Sequence, residues 1–382
     1  MVSAVKRLYD EQRQSPWLDF IRRNMLEDGG LARYRDEDGI RGVTANPTIF
    51  AQAIGAGDDY DAQIGDLLRE GVPPAEMFER IAAVDIRHAC DILRPVFDAS
   101  GGSDGFVSIE VSPEKAFETQ ASIEEAKRWW SLIDRPNLLV KIPGTDEGLP
   151  AIEECLAAGV NINITLLFAV EYYERVMEVY LRALERRAER GEDLRHTNSV
   201  ASFFVSRVDT AADKQIEAKI AAATSEAEKE RLRGLLGKVA VANAKVAYQR
   251  FLAVFGGDRF KRLAAKGAKV QRPLWASTGT KNKAYSDILY VQELIGPDTV
   301  NTMPPQTIDA FRDHGVVRRT VDEGVDEARR VLAELEDAGI SLRAITDQLT
   351  KEGVEAFSKS FREIGATVEQ KAAQMRERVS AA

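Results

Sequence analysis

Cysteine and histidine are scarce: the 382 residues include two cysteines, Cys90 and Cys155, and three histidines, His88, His196 and His314. Two thiols so far apart make no disulfide framework, and none of these residues stands at metal-ligand spacing from another, so no metal is expected. No apolar run approaches the roughly 20 residues that a membrane-spanning helix needs. The opening MVSAVKRLYDEQRQSPW lacks the apolar segment of a secretory signal, so a reduced, cytoplasmic protein is expected. Positive charge is also in deficit. The 52 Lys and Arg against 61 Asp and Glu leave a formal net charge of -9, which argues against a nucleic-acid or anionic-membrane surface. A phosphorylated substrate would therefore depend on local arginines or lysines. Absent too are a G-x-G-x-x-G after a strand, a Walker A loop and a G-x-S-x-G elbow; GTDEG at 144–148 reads only as a loop after a strand.

What is present is an apolar fraction of 44%, ample for a large core. The chain is organised around LLVKIPGT at 138–145. Leu138, Leu139 and Val140 read as a buried parallel strand, and Pro143 and Gly144 break it just beyond Lys141. Lys141 is then either a lysine whose stem packs while its ammonium reaches solvent, or an amine with a pKa lowered by burial, poised to attack a carbonyl and form a Schiff base. Two carboxylates sit in comparable places. Asp19 interrupts the apolar run WLDFI at 17–21, and Glu110 ends the strand GFVSIEV at 105–111. A carboxylate within an apolar strand is either paired or working, because an unpaired buried one is costly.

Further strand-like runs near 42, 160, 200, 272 and 300 bring the total to eight, alternating with helical patterns. Helical periodicity covers 51–99, where His88 is most simply a helix residue. Ser122 reads as an N-cap with Glu125 as its capping-box partner. The Ala/Glu/Lys-rich stretch 210–233 reads as an exposed helical insertion, and from about 320 the chain is helical to its end. No Gly/Pro-rich linker divides the sequence, so one unit over 1–382 is expected. Eight strands alternating with helices predict an α/β fold, a (β/α)₈ TIM barrel with additional C-terminal helices. A doubly wound sheet is the second choice, but it would usually carry a phosphate-binding first turn. Polar residues, Thr44 and Asn46, Asn163 and Thr165, Ser202 and Arg207, and Ser277, cluster near the C-terminal ends of these runs, the face on which such barrels do their chemistry.

GVTANPTIF, SIEV, LVKIPGT, NINITLLF and SFFVSRVD, in this order and at these separations, resemble transaldolases, and the extended C-terminal part is similar to the longer bacterial branch of that family. The resemblance implies transfer of a dihydroxyacetone unit from a ketose phosphate to an aldose phosphate, in the non-oxidative pentose phosphate pathway and without metal or organic cofactor. It implies that Lys141 forms the Schiff base and that Asp19 acts as acid and base on the C4 hydroxyl. Glu110 would shuttle protons through a water held with Thr165. Thr44, Asn46, Asn163 and Ser202 would hold the donor's hydroxyls, and Arg207 its phosphate. One departure stands out: many relatives read A-S-F-R at the seventh strand, whereas here Ala276, Ser277, Thr278 and Gly279 follow one another. Ser277 stays with Arg207 as the phosphate pair, and Lys281 is the nearest cation to the missing arginine. A monomer or homodimer acting on small sugar phosphates is expected. The rival readings are a Schiff-base aldolase that releases free dihydroxyacetone and a non-catalytic barrel that serves in binding.

Overall fold

The computed structural model describes residues 2–380, with side chains through residue 376. Met1, Ala381 and Ala382, at the ends of the expected unit, lie outside the described residues. Eight parallel strands close into a barrel in sequence order. They are β1 (Gln14–Leu18), β2 (Gly42–Thr44), β3 (Phe106–Glu110), β4 (Leu138–Pro143), β5 (Ile162–Leu167), β6 (Ser199–Phe204), β7 (Arg272–Ala276) and β8 (Thr299–Met303). Helices surround them, and two more, Val325–Asp337 and the 39-residue Leu342–Ser380, follow the barrel's last turn. The fold is thus a (β/α)₈ TIM barrel with extra C-terminal helices. Side chains face either the barrel interior or the helix layer, so apart from Arg272 every strand residue is buried. This double burial explains the apolar bias of the runs, although the strands also hold buried polar side chains such as Ser108, Asn163 and Asn301.

Strand register sets the active-face geometry. Glu110 pairs with Lys141, Lys141 with Asn163, and Pro143 with Thr165, which brings three neighbouring strand ends together. The opposite end is closed by buried Asp104, which accepts hydrogen bonds from Trp17 Nε1 (3.1 Å), Arg41 Nε (2.7 Å), Arg272 and the Ser15 hydroxyl. Burial alone would raise the Asp104 pKa, but Arg272 and Arg41 outweigh it and hold the carboxyl below its usual range. Gly42 is required here, since a Cβ at that position would stand 2.3 Å from the Trp17 indole.

Several elements differ from the sequence reading. The first strand is not 17–21 but Gln14–Leu18, with Pro16 inside it. Pro16 has no N–H to give, and β1 pairs with β2 at Leu18↔Val43, while all five of its residues pair with β8. Asp19 consequently lies just beyond the strand, its N–H donating to Met303 O at 2.8 Å. The 51–99 stretch is divided among Pro47–Gly55, Asp61–Arg69 and Pro74–Ala99. Ser122 is not an N-cap. The helix Thr119–Ile133 starts earlier, the Ser122 hydroxyl donates to Lys115 O, and Glu125 pairs with Lys115 and accepts from Ser112 N. The 210–233 stretch forms two helices, Ser206–Ala222 and Glu226–Arg233. The first buries Val208, Ala212 and Ile216, and its buried Asp209 and Asp213 accept from Ala240 N and Gly237 N, tying it to the next helix layer.

Candidate active site

Lys141, on β4, is 5% exposed, and its Nζ donates to Ala45 O at 3.1 Å. The reading in which its ammonium reaches bulk solvent therefore fails; the amine ends at the wall of a cavity of about 410 Å³ at the C-terminal ends of the strands. Asp19, Thr44, Asn46, Ser202, Arg207, Ser277 and Lys281 also line this cavity. Glu110, Asn163 and Thr165 do not. They are buried on the two strands that flank β4, Glu110 and Asn163 in register with Lys141 itself.

The polar groups are fixed to different degrees. Asn163 donates to Ser108 Oγ at 3.0 Å and accepts from Ser202 Oγ at 2.6 Å, so side chains of β3, β5 and β6 are cross-linked next to Lys141. Asn46 Oδ1 caps the helix Pro47–Gly55 by accepting from Ile49 N at 3.0 Å, which leaves its amide nitrogen for a ligand. The two Glu110 oxygens and the Thr165 hydroxyl have no hydrogen-bond partner among the described residues. Burial pushes the Glu110 carboxyl up to about 7, against the pull of Lys141 and with a further push from Asp19. Burial also raises the Asp19 pKa, opposed by Lys141, by the hydrogen bond from Thr44 (2.6 Å), and by Lys281 and Arg207.

Arg207 stands in the first turn of the helix Ser206–Ala222. Its guanidinium lies 5.4 Å from the Phe204 ring centre and 5.9 Å from that of Phe357, and among the described residues it makes no ion pair. Burial lowers its pKa, and Asp19, Glu110 and Glu352 raise it. Ser277 adopts a left-handed φ of 56°, and its hydroxyl lies 3.0 Å from that of Ser206. At the seventh-strand departure, Thr278 is buried and turns away from the cavity, donating to Asn301 Oδ1 at 2.9 Å. Lys281 is exposed at the cavity rim.

Residues 16–368 match the family described as Transaldolase/Fructose-6-phosphate aldolase. The chain belongs to that family. It is 47% identical over 364 residues to Transaldolase 2 of Nostoc sp. strain PCC 7120, covering 94% of this chain and 96% of that protein. It is 48% identical over 365 residues to Transaldolase 2 of Streptomyces coelicolor (95% and 96%). With the Transaldolase of Mycobacterium ulcerans it shares 48% over 352 residues (92% and 92%). Together these matches support a transaldolase, a transferase on a TIM barrel. The transaldolase cavity also contains side chains that the sequence reading did not single out, among them Thr302, Phe204 and Phe357. Thr302 carried a usable signal, because it lies near the C-terminal end of the last strand-like run, as Thr44 does of the second. Phe357 carried none: it comes from the C-terminal helix and reaches the cavity only through the fold. Among the described residues no helix is long and apolar enough to cross a membrane.

Proposed function

We propose that this transaldolase moves a dihydroxyacetone unit from a ketose phosphate, sedoheptulose 7-phosphate or fructose 6-phosphate, to an aldose phosphate through a Schiff base on Lys141. The observation that carries the reading is the buried Lys141 amine at the cavity wall, with Asp19 across the cavity and Glu110 beside it in register. Lys141 Nζ adds to the C2 carbonyl, and loss of water leaves an iminium. Glu110, whose pKa near 7 lets it both give and take a proton, serves this addition and dehydration with a water held by Thr165. Asp19 then removes the C4 hydroxyl proton. The C3–C4 bond breaks, its electron pair flows into the iminium to give an enamine, and the aldose phosphate leaves. The acceptor aldehyde adds to the enamine by the reverse steps, and water releases the new ketose phosphate.

Thr44, Asn46 and Ser202 offer polar groups to the donor's hydroxyls, with Asn163 holding Ser202 from behind. Arg207 takes the phosphate through charge-assisted hydrogen bonds, Ser277 adds its hydroxyl, and Lys281 contributes a point charge at the rim. A cavity of about 410 Å³ suits a substrate of this size. The route belongs to the non-oxidative pentose phosphate pathway.

Borohydride added during turnover of fructose 6-phosphate tests the reading. A sugar adduct is expected on the peptide containing Lys141 and none in Lys141→Met; an adduct that persists in the variant assigns the nucleophile elsewhere. Because the family description also names an aldolase, the wild type should be assayed with and without acceptor. Turnover that needs the acceptor marks a transferase, and equal release of free dihydroxyacetone marks an aldolase.

A further inference from the structure

Asp19 is reached by a short chain of hydroxyls that begins at the cavity end of the barrel's last strand. Thr302, 2% exposed near the end of β8, lies 2.6 Å from Thr44 Oγ1, and Thr44 Oγ1 lies 2.6 Å from Asp19 Oδ1. Both threonines are buried and cavity-lining. The Thr302 carbonyl lies 3.1 Å from the Thr278 hydroxyl, and the Asp19 N–H donates to Met303 O at 2.8 Å. Base and threonine are therefore tied to the same strand end.

The direction of the chain follows from counting protons. A hydroxyl has one proton to give, and an ionised carboxylate can only accept. With Asp19 ionised, Thr44 gives its proton to Asp19, so Thr302 must be the donor to Thr44. Once Asp19 takes a proton the chain can run the other way, Asp19 to Thr44 and Thr44 to Thr302. A hydroxyl at 302 serves both directions, and a methyl serves neither. We propose that Thr302 is a positioning residue for carbon–carbon cleavage: acting through Thr44, it holds Asp19 as a ready base and accepts the reversed chain when Asp19 has taken the C4 hydroxyl proton.

The inference rests on the role given to Asp19 in the proposed reaction. The charged groups that face Asp19 are Lys141 from β4, Arg207 from the helix after β6, Lys281 from the loop after β7 and Glu110 from β3. Thr302→Val leaves all four in place and removes one donor. Thr44 is then free to turn its proton away, and Asp19 binds its own proton more tightly.

The test compares Thr302→Val, Thr302→Ala and Thr302→Ser in the full chain by two readouts. One is borohydride trapping of the imine on Lys141; the other is single-turnover release of aldose phosphate from fructose 6-phosphate across pH. Val and Ala should slow release about three- to tenfold near neutral pH, the effect of one lost hydrogen bond. They should also move the acidic limb of release to higher pH while imine formation keeps its wild-type rate, and Ser should recover most of the loss. Ala reports the same effect should Val disturb β8. Unchanged release and an unmoved limb in Val and Ala would overturn the proposal, as would a Ser variant as impaired as Val or trapping that slows in parallel with release. A wild type that yields no adduct on Lys141 would instead refute the Schiff-base reading, and the inference with it.

Discussion

Glu110 stands beside Lys141, with neither carboxylate oxygen hydrogen-bonded among the described residues. Its pKa of about 7 against an ordinary 4.5 makes it a source of instability once ionised. Between those two values the folded protein keeps a proton that the unfolded chain has released, so stability falls as pH rises through that window and stays low above it. Glu110→Gln removes the ionisation. The variant's stability advantage should therefore grow by on the order of 2 kcal/mol between pH 5 and pH 8, even as activity is lost. Urea unfolding of both proteins at the two pH values checks this, and a difference that does not change with pH would contradict it. The sequence could locate Glu110 at a strand end but not reveal whether it was ion-paired. That depended on which side chains the register brought near it.

The C-terminal helix Leu342–Ser380 is the element whose role was least legible in the sequence. Its charge pattern announced a helix but not a destination. In the fold it packs on the helix Pro47–Gly55, and the Thr48 and Ser360 hydroxyls meet at 2.9 Å. Gly353 lets it approach β5: a Cβ there would lie 2.8 Å from Leu166, the residue that takes a φ of 59° in the irregular part of that strand. One turn on, Phe357 reaches the guanidinium of Arg207. The helix thus completes the wall behind the proposed phosphate site. Loss of a charged partner in Arg207→Ala should cost on the order of 2 to 3 kcal/mol, roughly thirty- to more than a hundredfold in kcat/KM on fructose 6-phosphate. On unphosphorylated fructose the loss should be much smaller. Phe357→Ala, which removes a ring from behind the guanidinium, should cost about threefold to tenfold with the same donor dependence. Lys281→Ala, at the solvent-exposed rim, should cost less than Arg207→Ala. Steady-state kinetics on both donors decides it: equal losses on the two would give Arg207 and Phe357 a structural role, and a larger loss from Lys281→Ala would reverse the ranking.

Across the barrel, eight strand-like runs alternating with helical patterns were enough to read the fold, because strands buried on both faces are rich in apolar residues and their few polar ones stand out. The same rule made Lys141, Glu110 and Ser202 visible. The first strand was misplaced, because WLDFI at 17–21 made Asp19 look like a strand residue; the barrel instead begins β1 at Gln14, takes Pro16 inside it and leaves Asp19 in the loop at the cavity. The proposed chemistry is divided across the barrel mouth, with imine formation at Lys141 and Glu110 and carbon–carbon cleavage at Asp19, tied to β8 on the opposite side. Trapping Asp19→Ala with borohydride during exposure to fructose 6-phosphate, followed by mass mapping of the Lys141 peptide, tests that division most directly. An adduct carrying the intact six-carbon sugar phosphate is expected, formed at close to the wild-type rate. A three-carbon adduct appearing as fast as in the wild type would contradict it.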